Sequence, residues 1–364
     1  MKRYSEELLK GLKQSASIQM DGNLKMISKY APDAISPTAI DPRMLAGKSG
    51  LGLKLLPFIP KFLLKTDSRP ENLPKVRESM NKSADIVVVE NGINIENATI
   101  SAADGYQIPI RIYHSEHCEA NGPCLYYIHG GGLIAGNLEQ YDEALKLFVE
   151  NNRMVVVSVA YRLMPENPSP IPHKDCLTVL HWLYNNADKL KINKNAIFVC
   201  GDSGGGVLAQ YCSSMSKENG MIRGQLLLYP SLNLFAVKDK YYNPSLSQFE
   251  YDKKHKRIAK KLIEIGPSTL ASCKELMNVK EMDEHINPHI GDPAGNPPTF
   301  FAFGELDYIK LESIAWAHKL QDAEVETHIV VYKGLAHGFF NAAGIFPQSE
   351  DCIDEMGAFI RAHM

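Results

Sequence analysis

Residues 196–207 read Ala196-Ile197-Phe198-Val199-Cys200-Gly201-Asp202-Ser203-Gly204-Gly205-Gly206-Val207. The first five form a short apolar run of the kind that fills a strand buried on both faces. From Gly204 to Asn219 the apolar residues recur with helical spacing. Between strand and helix stands Gly201-Asp202-Ser203-Gly204-Gly205, a G-x-S-x-G pentapeptide. A strand that turns directly into a helix brings two stretches of backbone close together. Neighbours without a Cβ permit that approach and let a serine hold a strained conformation with its hydroxyl raised clear of the turn. Glycine- and serine-rich strings also arise by chance, so an incidental turn competes with a nucleophile for the pentapeptide alone. The strand before it and the helix after it favour Ser203 as a nucleophile.

The alternation of strand and helix extends from about Ile86 to the C-terminus. It is the signature of an α/β fold, a sheet covered by helices on both faces. IVVVENGINI and QIPIRIYH read as an antiparallel opening pair. CLYYIHG, MVVVSVAY, AIFVCGD, GQLLLYP, TFFAFGE and THIVVYKG follow as strands, separated by helical periods such as EQYDEALKLFVENN and LESIAWAHKLQDAE. Right-handed crossovers in such a series place ligands at the carboxyl ends of the strands. Two segments break the alternation, residues 1–85 and the stretch from Asn233 to about Pro298 with its basic helix KKHKRIAKKLIEIG. The expected organisation is an N-terminal cap segment over 1–85 and a catalytic domain over 86–364, with a cap insertion at about 233–298.

His129-Gly130-Gly131-Gly132 closes the strand CLYYI upstream of Ser203. Successive glycines leave backbone N–H groups free of side-chain cover, which is what a tetrahedral oxyanion requires. Gly131 and Gly132 are assigned to that role, with the N–H of Gly204 as third donor. A phosphate loop is excluded by the missing G-K-[ST] ending, and the G-x-G-x-x-G spacing is not met. His129 reads as a support of the loop. A base and its orienting acid are expected downstream of the nucleophile, each at the end of a later strand. Asp307 follows TFFAFGEL and His337 follows THIVVYKGLA. Glu305 is the competing acid, and strand-end geometry favours Asp307. Of the 12 histidines most read as surface or structural groups. No H-E-x-x-H is present and no histidine–carboxylate group has zinc spacing, so no metal is expected.

Composition bounds the partners. Hydrophobic residues make up 45% and charged residues 22%, ordinary for a globular chain able to bury a large core. A formal net charge of -3 supplies no basic stripe for a phosphate backbone, so nucleic acid is not an expected partner and a small molecule is. Glu6, Glu7, Lys10 and Lys13 interrupt any apolar signal segment at the N-terminus. No apolar run approaches the ~20 residues that span a bilayer. The seven cysteines, an odd number without a C-x-x-C pair, fit reduced thiols in the cytoplasm. LGLKLLPFIPKFLLK at residues 51–65 is broken by Pro57 and Pro60 and punctuated by Lys54, Lys61 and Lys65. It reads as cover for an active-site mouth in preference to a membrane-surface helix.

Together, HGGG at 129–132, GDSGG at 201–205, Asp307 ahead of Ile309 and Glu312, and His337-Gly338-Phe339 resemble the hormone-sensitive lipase family of α/β-hydrolases. Tyr161-Arg162-Leu163 with Pro165-Glu166 is similar to that family's YRLxPE segment, a structural brace behind the active site. The resemblance runs from about Ile86 to the C-terminus. It implies an α/β-hydrolase fold with an eight-stranded, mostly parallel sheet and a mainly helical cap. It also implies a Ser203–His337–Asp307 triad, no cofactor, and hydrolysis of short-chain acyl esters, acetyl to about hexanoyl, through an acyl-enzyme. A homodimer through the last strand and helix is a further implication. The chain departs from the pattern at Leu133, where an aromatic is frequent, and at Gly204-Gly205, where many members carry Ala-Gly. The alternatives are a lipase for longer chains, suggested by residues 51–65, and a catalytically inactive receptor on the same fold. Such receptors lose the histidine, which stands here as His337. Amides, carbamates and acetylated sugars fall to the same triad and stay open as substrates.

Overall fold

The computed structural model describes residues 4–46, 69–82 and 86–364. Its sheet strands are β1 (Ser17–Asp21), β2 (Leu24–Lys29), β3 (Asn94–Ser101), β4 (Gln107–His114), β5 (Gly122–Ile128), β6 (Val155–Val159), β7 (Ile192–Asp202), β8 (Gly224–Leu228), β9 (Thr299–Gly304) and β10 (Thr327–Tyr332). They form one sheet in the order β1-β2-β10-β9-β8-β7-β5-β6-β4-β3. The six strands from β10 to β6 run parallel, and β4 and β3 close one side antiparallel. Every residue of β6, β8 and β9 is buried, as the uninterrupted Val, Leu and Phe runs require of strands covered on both faces.

The covering helices form two layers. In one, α1 (Glu6–Gln14) and α4 (Asp142–Asn152) pack against the C-terminal α9 (Pro347–Ala362). In the other, α5 (Ile171–Asn185) packs against α6 (Gly204–Met215), and Trp316 of α8 (Lys310–Asp322) donates its indole N–H to Gln210 of α6 at 3.0 Å. The insertion carries α7 (Lys256–Met277). Ala259 and Ile263 on α7, with Tyr242 and Phe249 before it, join Leu306, Leu311 and Ala315 in a smaller core beside the main one. That core seats α7 over the carboxyl ends of β9 and its neighbours. The short α2 (Pro42–Leu45) and α3 (Leu73–Met80) complete the α-helices of the described residues.

Two expectations change. Among the described residues the sheet has ten strands, because the N-terminal hairpin β1–β2 extends the expected eight, β3 to β10. Within the described part of residues 1–85, β1 and β2 belong to the sheet, whereas α3 borders the cavity described below. The opening strand is β3, not IVVVENGINI. Val88 and Val89 are buried as loop residues, their N–H groups donating to Glu143 Oε2 at 2.5 and 3.2 Å. Pairing with β4 then begins only at Asn94, opposite His114. The run at 51–65 lies outside the described residues. Among the described residues no helix is long and apolar enough to cross a membrane.

The hairpin also seals the last strand. Ile27 to Lys29 of β2 pair in parallel with Val330 to Tyr332 of β10. The buried Lys29 ammonium reaches Asp351 at 2.7 Å and Glu355 at 2.6 Å on α9. Asp351 in turn accepts from the Tyr332 hydroxyl at 2.8 Å.

Candidate active site

Ser203 occupies the turn between β7 and α6 with φ 51° and ψ -118°, a conformation that L-residues rarely adopt. The turn is held by its neighbours. Ser203 N–H donates to Leu228 O at 2.9 Å, and Ser203 O accepts from Gly206 at 3.0 Å and Ser231 at 3.1 Å. A Cβ on Gly201 would collide with the Gly205 carbonyl oxygen, and one on Gly205 with the Ile128 carbonyl oxygen of β5. These glycines are what allow the strand, the helix and β5 to meet. The Ser203 side chain does not cap α6. Instead its Oγ lies 2.8 Å from His337 Nε2.

His337 sits in the loop after β10. Its Nδ1 lies 2.8 Å from Asp307 Oδ2, in the loop after β9. Asp307 is fully buried, and its Oδ1 accepts the Ile309 N–H at 3.0 Å, which fixes the carboxylate plane. Burial disfavours the imidazolium, but the Asp307 charge and hydrogen bond outweigh it and hold His337 above its ordinary value. Glu305, the competing acid, turns elsewhere. Its Oε1 takes the Lys310 ammonium at 2.6 Å and the Glu250 N–H at 2.7 Å.

The glycine loop after β5 faces the same point. Gly131, Gly132 and Leu133 have φ of 115°, 60° and 61°. Among the described residues no protein acceptor takes the N–H of Gly131, Gly132 or Gly204, and all three glycines border the cavity containing Ser203. His129 lies at the loop's base, buried, with its ring stacked on Tyr161 at 4.4 Å between centroids. Burial pushes it down to about 4.

The cavity measures about 570 Å³ and opens over Ser203. Leu133 and Val207 wall it from the core, Leu270, Leu276 and Met277 from the α7 insertion, and Val76 from α3. A serine whose hydroxyl faces a buried imidazole, free N–H groups beside it and an apolar cavity above it can attack an uncharged carbonyl and bind the oxyanion that forms.

Two carboxylates near the site carried no role in the sequence reading. Asp202 is buried and accepts the Gly130 N–H at 2.7 Å, the Tyr127 hydroxyl at 2.7 Å and the Tyr141 hydroxyl at 3.0 Å. It ties the glycine loop to the turn that carries Ser203. Burial raises it to about 6 against those three donors. Glu312 Oε2 accepts the N–H groups of Leu232 and Asn233, both at 2.8 Å, and so fixes the chain after β8 where Ser231 and Leu234 border the cavity.

Burial raises Glu312 from 4.5 to about 7 despite those two N–H donors. Between these pH values the folded chain holds a proton that the unfolded chain has released, so stability falls as pH rises through the window. Glu312→Gln keeps an acceptor for both N–H groups and removes the titration. Its stability relative to the wild type should rise by roughly 3 kcal/mol from pH 4.5 to pH 8, as read by urea unfolding at both values. A difference that stays flat or falls contradicts this.

A serine-bearing turn at the end of a central parallel strand, facing a histidine–aspartate pair from later strands, is the arrangement of an α/β-hydrolase. Residues 125–341 match the family model described as alpha/beta hydrolase fold, and the chain belongs to that family, in its hormone-sensitive lipase-like branch. The chain is 24% identical to the ethyl acetate hydrolase of Pseudomonas putida, over 74% of this chain and 83% of that protein. To the carboxylesterase NlhH of Mycobacterium tuberculosis it is 26% identical, over 71% of this chain and 79% of the relative. The solved structure of an esterase from Pyrobaculum calidifontis superposes with a TM-score of 0.68 at 27% identity, covering 83% of this chain and 97% of that one.

Proposed function

We propose that this chain is a serine carboxylesterase that hydrolyses short-chain acyl esters, acetyl to about hexanoyl, through an acyl-enzyme. One observation carries the reading: the unbroken 2.8 Å contacts from Ser203 to His337 and from His337 to Asp307, at the floor of an apolar cavity. Ser203 Oγ attacks the ester carbonyl while His337 Nε2 takes its proton. Asp307 keeps Nδ1 protonated and stabilises the imidazolium. The N–H groups of Gly131, Gly132 and Gly204 bind the oxyanion. His337 then gives its proton to the departing alcohol, and a water deprotonated by His337 releases the acid. No cofactor enters these steps. The short acyl range is supported by the ethyl acetate hydrolase and carboxylesterase names of the relatives.

A cytoplasmic setting is supported by the seven cysteines, all free. A homodimer that joins sheet edges would use β1 or β3, since β10 lies between β2 and β9.

A series of p-nitrophenyl esters from acetate to palmitate tests the substrate range. The expected kcat/KM is highest between acetate and hexanoate and falls steeply beyond. A rate that climbs toward palmitate and jumps when the substrate is emulsified would replace the esterase reading with a lipase.

A further inference from the structure

Arg77 lies on α3, in the N-terminal segment, outside every motif quoted above. Its Nε donates to the carbonyl of Ile134 at 2.6 Å. The N–H of that same peptide plane, belonging to Ala135, donates to the carbonyl of Gly131 at 3.0 Å. A trans peptide directs its C=O and its N–H in opposite senses. With its carbonyl held inside the loop, the 131–132 peptide therefore turns the Gly132 N–H outward. On that side lies the Ser203 turn: a Cβ built on Gly204 would stand 2.9 Å from the Gly132 nitrogen.

We propose that Arg77 is a positioning residue for ester hydrolysis, holding and polarising the Gly132 oxyanion donor through two consecutive hydrogen-bonded peptide planes. The inference rests on the esterase reading above. Each link points the same way, from a cation to a carbonyl and from the partner N–H to the next carbonyl. Hydrogen bonds aligned head to tail strengthen one another, so the charge at Arg77 makes the Gly132 N–H a better donor.

Arg77 is itself held in place. One terminal nitrogen donates to Met164 O at 2.9 Å, and the fork closes on Glu166 at 2.8 and 2.7 Å. Met164 N–H donates to Leu133 O at 2.9 Å. Leu133, whose left-handed φ is unfavourable for a branched side chain, is thus pinned on the Met164 side while Arg77 pins the next carbonyl. The residue closing α3, Asn81, accepts the Gly136 N–H at 2.8 Å and anchors the far end of the loop. Seating of α3 and assembly of the oxyanion donors are then one event.

The test is Arg77→Met in the full chain, which keeps an apolar stem and removes every donor. Two quantities are read: turnover of p-nitrophenyl butyrate, and inhibition by an alkyl trifluoromethyl ketone, whose adduct carries the oxyanion of the tetrahedral intermediate. The expected result is a kcat lower by about tenfold with KM within about twofold, since the donor is loosened and not removed. The inhibition constant should rise by the factor that kcat/KM falls, and Arg77→Lys should recover part of both. An unchanged kcat, or a fall in kcat with an unchanged inhibition constant, overturns the proposal. Should Arg77→Met not fold, Arg77→Lys against the wild type reads the same pair of quantities. A wild-type chain without esterase activity would sink the functional reading instead, so the two failures are distinguishable.

Discussion

Ser203→Ala is expected to lower kcat on p-nitrophenyl butyrate by at least about 10⁴-fold while leaving the thermal unfolding midpoint within a few degrees of the wild type. The substitution removes a single oxygen. Alanine carries the same backbone strain at φ 51° that serine does, and the hydrogen bonds of Ser203 that hold the turn are main-chain, so the fold has no reason to change. What disappears is the atom 2.8 Å from His337 Nε2. The cavity and the free N–H groups stay in place, and they leave a residual acceleration over water that attack by solvent can use. Steady-state rates with active-site titration of both proteins measure the ratio. A variant that keeps more than a few per cent of the wild-type rate would move the nucleophile elsewhere.

The second large effect belongs to Asp307. Replacing it with asparagine preserves size and nearly preserves shape, yet an amide cannot act as a charged acceptor for His337 Nδ1. The imidazole is then free to take the tautomer with its proton on Nε2, facing Ser203, where it cannot act as a base. The expected loss in kcat is about 10⁴-fold. The pH profile should change in a defined direction. In the wild type Asp307 stabilises the imidazolium beyond its burial penalty and holds His337 above its ordinary 6.5, so kcat/KM is expected to climb through that higher value. Without the Asp307 charge, burial becomes the dominant influence, and the rising limb of the residual activity should shift to lower pH. A limb that stays in place would mean that Asp307 does not set the histidine's titration.

Much of this candidate site is legible in the sequence because its parts are local. A strand-turn-helix signal at residues 196–207 needs only a dozen neighbours to be read, and the structure places Ser203 at that turn. Chain order and strand ends point to Asp307 and His337, and a sheet order that composition cannot reveal brings both beside Ser203. The choice of Asp307 over Glu305 depended on direction. Two residues apart along one loop, the first faces His337 and the second is taken by Lys310.

The misreadings have equally specific causes. β1 and β2 are short and largely polar, with exposed Ile18 and Met20, so their hydrophobic pattern is weak. The signal that could have found them is the Gly22-Asn23 turn, with Asp21 opposite Leu24 and Gly22 at φ 56°. IVVV in residues 86–89 has strong strand propensity, but the amides of Val88 and Val89 go to Glu143, a contact that no local reading can supply. The roles of Asp202, Glu312 and Arg77 are long-range for the same reason. Asp202 stands inside the quoted pentapeptide, yet what it holds is Gly130, a residue of another loop.

The central claim is that Ser203 is the nucleophile activated by His337, and stoichiometric phosphorylation measures it most directly. Wild-type protein treated with diethyl p-nitrophenyl phosphate should release one equivalent of p-nitrophenol, lose its esterase activity in step, and carry the diethylphosphoryl group on the peptide containing Ser203. Release without loss of activity, or a label on any other residue, would contradict the account.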